Sequence, residues 1–148
     1  MRAVVQRVNE ASVIVDGDVV GEIGRGLLVY LGVGKGDAED DRRWILEKIL
    51  GLRIFTNDAG KMDKSVVDVG GALLVVSQFT LYGDVRRGRR PSFDDAMAPA
   101  EANASYEAFV AEARSRGITV ATGRFAADMK VRSENDGPVT IWIDSKAR

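Results

Sequence analysis

Two short segments hold the residue types best suited to chemistry, Ser77-Gln78-Phe79-Thr80-Leu81-Tyr82 and Asn135-Asp136-Gly137-Pro138-Val139-Thr140. They lie in a chain with no histidine and no cysteine, so neither an imidazole nor a thiolate is at hand. That excludes Ser-His-Asp and Cys-His arrangements and the usual zinc ligand sets. Backbone dipoles, hydroxyls and the substrate's own groups remain as actors. Taken alone, Ser77 to Thr80 reads in two ways. It is a strand end whose hydroxyls cap stray backbone groups, or its N–H groups near Phe79 and Thr80 form an oxyanion hole for an ester carbonyl turning tetrahedral. One such donor is worth ~3 kcal/mol of barrier. Thr80 as nucleophile lacks a base, since neither segment contains a histidine or a lysine. Ser77 as the nucleophile of a small-ester hydrolase lacks both the G-x-S-x-G elbow and a histidine. Gly137-Pro138 reads, by itself, as an ordinary turn before a strand, where about 5% of X-Pro bonds are cis.

These segments resemble the two signatures of the D-aminoacyl-tRNA deacylases, small homodimeric editing esterases marked by SQFT and NxGPxT motifs, both unbroken here. The likeness runs from Met1-Arg2-Ala3-Val4-Val5-Gln6-Arg7-Val8, through Gly71 to Val76 and Gly88 to Phe93, almost to the carboxyl end. The resemblance implies that Ser77, Gln78, Phe79 and Thr80 form the catalytic segment, with backbone amides as the oxyanion hole. It implies that the free 2′-hydroxyl of the tRNA's terminal ribose orients or activates the attacking water. It further implies a cis Gly137-Pro138 bond that reaches into the partner subunit's site and crowds the substrate α-carbon. An L side chain would collide there, a D side chain would point outward, and glycine would be accepted. Asn135 and Thr140 would hold that loop by side-chain hydrogen bonds. Gly123 to Met129 resembles a third family segment bordering the pocket for the terminal adenosine, with Phe125 as a stacking face and Met129 as a deformable wall. Core packing is the competing reading of both residues. The family commonly has glycine where this chain has Ala126. No metal and no organic cofactor is implied, and the expected partners are D-aminoacyl-tRNA, glycyl-tRNA and a second copy of the chain.

The elements that must position these groups are legible in outline. Ala11 to Val15 and Val19 to Ile23 are β-branched runs flanking Asp16-Gly17, a dipeptide suited to a tight hairpin turn. Gly26 to Leu31 and Ala72 to Val76 are continuous apolar runs, read as strands buried on both faces. The second leads straight into Ser77. A helix is expected from an N-cap at Asp37 to about Leu50, with Ile45, Leu46, Ile49 and Leu50 on one face. Another starts near Pro99 and stops before Gly117, burying Ala102, Tyr106, Phe109, Val110 and Ala113. After Gly137-Pro138, Val139, Ile141 and Ile143 alternate with Thr140, Trp142 and Asp144 as a half-buried strand. The expected architecture is mixed α/β: one compact domain over 1–148, with a mostly antiparallel, barrel-like sheet and two main helices.

Composition bounds the rest. With 148 residues, 45% hydrophobic and 29% charged, the chain is long enough for one sizeable core. Lack of cysteine fits a reducing, cytoplasmic compartment. The amino end is neither a secretory leader nor a membrane span. A net charge of −1 argues against a coat for nucleic acid, and neither DNA nor membrane is an expected partner. A local basic run remains, Arg86-Arg87-Gly88-Arg89-Arg90, which is either a solvated loop or a set of phosphate contacts near the tRNA acceptor end. Gly32-Val33-Gly34-Lys35-Gly36-Asp37 has the spacing of neither a Walker loop nor a dinucleotide fingerprint and is read as turn punctuation. Glu39-Asp40-Asp41 and Asp94-Asp95 are read as solvated or capping groups rather than metal ligands. Two other functions fit the same residues: a noncatalytic module that holds tRNA 3′ ends, and an editing esterase of the same fold that removes a wrong L-amino acid.

Overall fold

The computed structural model describes residues 1–148. The chain runs β1 (Arg2–Val15), β2 (Asp18–Ile23), β3 (Gly26–Gly32), α1 (Glu39–Gly51), β4 (Phe55–Thr56), β5 (Met62–Lys64), β6 (Ala72–Ser77), α2 (Pro99–Ser115), β7 (Val120–Thr122) and β8 (Lys130–Asp144). The Asp16-Gly17 hairpin forms as its sequence requires, both residues taking positive φ, 49° and 83°.

Strand β1 organises the sheet. Along one edge it pairs antiparallel with β8, and along the other with β3 through Arg2 to Val8 and with β2 through Ala11 to Val15. Beyond β3 the pairing turns parallel, β3 with β6 and β6 with β7. Most pairs are therefore antiparallel, with a parallel trio that the sequence pattern did not single out. β2 and β7 touch, which nearly closes the sheet into a barrel.

The continuous apolar strands are explained by two cores. Leu27, Val29, Leu31, Leu73 and Val75 face the helices and join Ile45, Leu46, Ile49, Tyr106, Phe109 and Ala113. The intervening Leu28, Leu74 and Val76 face the barrel interior with Val8, Val13 and Val15. Period-two side chains on strands covered on both faces give unbroken apolar sequence. The buried stripe of α2 is Ala102, Tyr106, Phe109, Val110 and Ala113, as its periodicity predicts.

The start of α1 differs from expectation. Its N-cap is Ala38, and Asp41 accepts from the Ala38 amide at 3.0 Å. Asp37 instead accepts from the Gly34 amide at 2.7 Å and pairs with the Met1 ammonium at 2.7 Å. A buried cation outcompeted the helix end for that carboxylate. No helix is long and apolar enough to cross a membrane.

Candidate active site

The parallel trio sets where a site can form. β3, β6 and β7 all end at one edge of the sheet, with Leu31 beside Ser77 and Val75 beside Thr122. The chain leaving those three strand ends builds a cleft of about 610 Å3. Outside the carboxyl ends of parallel strands is where open α/β sheets generally bind ligands.

From β6 the chain passes through Ser77 and Gln78 into a 3-10 turn over Phe79–Tyr82. The turn lies flat on Gly32 and Gly34, where a Cβ would sit 3.0 Å from the Gln78 carbonyl oxygen and 2.6 Å from the Tyr82 ring. Glycine is required there by close approach. Phe79 and Thr80 are the first residues of the turn, so their N–H groups have no acceptor within it, and no side chain accepts from either. The Gln78 side-chain amide donates to the Thr80 hydroxyl. Phe79 is 56% exposed at the cleft mouth and meets Phe93 edge-on, ring centres 5.0 Å apart.

The opposite wall follows β7. Phe125 and Met129 both line the same cleft as Ser77, Gln78 and Phe79. Phe125 packs against Tyr106, ring centres 6.2 Å apart, and the Tyr106 hydroxyl donates to the Val75 carbonyl at 2.7 Å. Burial pushes that phenol up to about 12, so it stays protonated and keeps donating. Ala126, which also lines the cleft, has φ 62°, a left-handed conformation unusual for a residue with a Cβ. The Ala127 amide bonds back to Arg124 at 3.2 Å, so Ala126 holds the third position of a tight turn.

Gly137 and Pro138 do not line this cleft. They are exposed, joined by a cis bond, on a bulge in β8 where the partners of Gln6 and Val8 skip from Thr140 to Asn135. Asn135 fastens the bulge, donating to the Thr140 hydroxyl at 3.0 Å and accepting from the Val139 amide at 3.0 Å. Arg7, nine-tenths buried, donates to the carbonyls of Asp136 at 3.1 Å and Ile54 at 2.6 Å. The loop is thus braced from beneath and open above.

The arginine run belongs to an excursion closed at its base by Asp84 and Ser92, whose amides and carbonyls exchange bonds of 2.7 and 3.0 Å. The following Phe93 returns to Phe79, so this excursion adjoins the cleft. Arg86 is engaged by Asp84, Nε to Oδ1 at 2.9 Å and Nη2 to Oδ2 at 2.7 Å. Those bonds hold the Asp84 carboxyl down at about 2. Arg87, Arg89 and Arg90 are exposed and form no ion pair within the chain. Sequence reasoning placed Tyr106 only in the buried stripe of α2, and gave Arg7 and Phe93 no role beyond membership of the family-like stretches Met1 to Val8 and Gly88 to Phe93.

Fold and cleft together define a small α/β domain that offers an apolar slot beside free main-chain donors. The family model for D-Tyr-tRNA(Tyr) deacylase matches residues 4–144. A D-aminoacyl-tRNA deacylase of Sorangium cellulosum is 60% identical over 147 residues, covering 99% of this chain and 98% of that one. Another, of Geobacter sulfurreducens, is 59% identical over 148 residues, covering 100% and 97%. Among solved structures, one described as c-Myc DNA Unwinding Element Binding Protein superposes with a TM-score of 0.93 at 42% identity, covering 97% of this chain and 98% of that one. A probable eukaryotic D-amino acid tRNA deacylase shares the fold, with a TM-score of 0.81 at 23% identity over 96% and 97%. The chain belongs to the D-Tyr-tRNA(Tyr) deacylase family and is a hydrolase.

Proposed function

We propose that this chain hydrolyses the ester joining a D-amino acid, or a misplaced glycine, to the 3′ end of tRNA in the cytoplasm, acting as one domain over 1–148. The observation that carries the reading is the meeting of Ser77, Gln78 and Phe79 with Phe125 and Met129 in one cleft. The terminal adenosine stacks on Phe125 against Met129, which brings its ribose ester to the lip. There the Phe79 and Thr80 amides, free at the start of their turn, polarise the ester carbonyl as water adds to it. The ribose 2′-hydroxyl orients that water. Collapse of the tetrahedral adduct breaks the bond to the 3′-oxygen, which takes a proton, and releases free amino acid and tRNA. Thr80, bonded to Gln78, shapes the turn.

Handedness is screened by a second copy of the chain. The Gly137-Pro138 bulge is exposed and braced by Arg7 and Asn135, and Trp142, 54% exposed, follows on the same strand. Both features suit a homodimer in which each protomer's bulge enters its partner's cleft and excludes L side chains. Arg87, Arg89 and Arg90 meet phosphates near the single-stranded acceptor end, whereas Arg86 keeps its excursion folded through Asp84.

Purified protein is assayed on D-tyrosyl-, L-tyrosyl- and glycyl-tRNA, with oligomeric state measured by light scattering. Release of D-tyrosine and glycine but not L-tyrosine is expected, from a dimer. Binding without release would identify a tRNA 3′-end module, and preference for the L form would identify an editing esterase of the opposite hand.

A further inference from the structure

Arg2 lies at the start of β1, opposite Gly32 on one side and Asp144 on the other. Its guanidinium is one-third exposed and contributes nothing to the cleft lining. Its contacts instead fall on the two elements that matter most to the reaction. Nη1 donates to the Leu81 carbonyl at 3.0 Å, and the cation lies 4.4 Å from the centre of the Tyr82 ring. Both residues belong to the turn that begins with Phe79 and Thr80. On its other side Nε pairs with Asp144 at 3.2 Å, and the cation lies 5.6 Å from the Trp142 ring. Both of those residues belong to β8, the strand that carries the Gly137-Pro138 bulge.

We propose that Arg2 is a positioning residue for the hydrolysis, clasping the Phe79–Tyr82 turn to β8 so that the Phe79 and Thr80 amides keep their aim. The inference rests on the reading of those amides as the oxyanion hole. The turn needs such a clasp. Its seat on Gly32 and Gly34 resists motion into the sheet. Its two ends are tethered by the Gln78 amide on the Leu31 carbonyl at 2.8 Å and the Tyr82 hydroxyl on Asp37 at 3.3 Å, which leaves the Leu81 carbonyl between them to Arg2. The bond to Leu81 and the stack on Tyr82 hold it from the outside. Arginine suits the task because its planar fork can donate to a carbonyl and a carboxylate at once while its face lies on an aromatic ring. A lysine would keep the charge and lose that geometry.

Kinetics on D-tyrosyl-tRNA are measured for wild type, Arg2→Gln and Arg2→Lys, together with the amide resonances of Phe79 and Thr80. Because Arg2 does not touch the adenosine slot, KM is expected to hold. The kcat of Arg2→Gln is expected to fall about 100-fold, the scale of an ångström's misplacement at a reacting centre, with Arg2→Lys intermediate. Amide resonances are expected to move within residues 79–82. Wild-type kcat in both variants, or a change in KM alone, would overturn the assignment. If Arg2→Gln does not fold, Arg2→Lys decides on the same criteria. If the wild-type protein releases no D-tyrosine, the proposed function falls, and unmoved Phe79 and Thr80 amides in Arg2→Lys would dispose of the clasp separately.

Discussion

Replacing Ala126 with glycine separates backbone strain from cleft shape. At φ 62° an alanine sits in the left-handed region, a cost of roughly 1–2 kcal/mol for an L residue. The turn closed by the Ala127 amide on the Arg124 carbonyl is of the kind that favours glycine at its third position. Glycine removes that cost but also frees the unfolded chain, which takes back about 0.4–1 kcal/mol. Ala126 is exposed, so its methyl contributes little burial. The net gain is about 0.5–1 kcal/mol, which for a chain of this length raises Tm by about 2–3 °C. The methyl also lines the cleft, and losing one carbon of apolar contact is worth about 0.8 kcal/mol at most. KM for D-tyrosyl-tRNA should therefore rise by no more than about fourfold at that ceiling. Thermal unfolding read by calorimetry, alongside the kinetics, checks both numbers. A lower Tm in Ala126→Gly would refute the strain argument, since an exposed methyl contributes little burial to lose.

Thr80→Ala should slow D-tyrosyl-tRNA hydrolysis without abolishing it, because the hydroxyl shapes the turn through Gln78; complete loss in a folded variant would make Thr80 the nucleophile. Gly137→Ala places a Cβ 2.8 Å from Val139 and 3.1 Å from the Arg7 guanidinium at φ 130°, so stability should drop by about 1–3 kcal/mol and chiral discrimination should weaken, read by denaturant titration and by D against L release. Replacing Arg87, Arg89 and Arg90 with alanine should lower the slope of log affinity against log salt by about 2 for single-stranded acceptor ends, and an unchanged slope would remove these side chains from the interface. Burial pushes the Asp41 carboxyl up, but hydrogen bonds from Lys146, the Ala38 amide and Ser145 outweigh it and hold the group far below its ordinary value. A depressed folded value means the stabilisation is present in full above the unfolded value of about 3.9 and is lost as pH falls below it. Acid unfolding of Asp41→Asn should accordingly show a shallower dependence on pH than wild type.

What the sequence made legible was whatever local chemistry enforces. Asp16-Gly17 had to be a turn, Pro99 had to open a helix, and the spacing of Tyr106, Phe109, Val110 and Ala113 had to be a buried stripe. Both apolar strands were found because doubly covered strands lose their alternation. The Asp37 cap was misplaced by one residue because helix propensity does not register a distant ammonium, and Met1 is 36 positions away in sequence but 2.7 Å away in space. Arg86 read as one of four equivalent cations until the fold set Asp84 against it. The first half of β8, Lys130 to Asn135, carried no clear alternation, because it is largely exposed and its pairing with β1 is made by backbone rather than by buried side chains.

The location of the cleft follows from the one feature of the sheet that residue patterns conceal. A purely antiparallel barrel sends alternate strand ends to opposite rims, so the segments after Leu31, Ser77 and Thr122 would not share an edge. Parallel pairing of β3, β6 and β7 puts all three exits on one side. The connections that make this possible are long, and they contain α1 and α2, whose packing on one face of the sheet leaves the rim uncovered. Ser77, Gln78 and Phe79 therefore meet Phe125 and Met129 although some fifty residues separate them in sequence. The Gly137-Pro138 bulge obeys a different constraint. It interrupts β8, an antiparallel neighbour of β1, is braced by Arg7 and Asn135, and does not line the cleft of its own chain. A single copy thus carries one cleft and one rigid exposed loop at separate places. Disabling the loop in one copy and the Phe79–Thr80 turn in another, then mixing the two, should restore about a quarter of wild-type site activity if dimers exchange at random and each cleft uses its partner's loop. Activity that never returns on mixing would assign both features to the same chain.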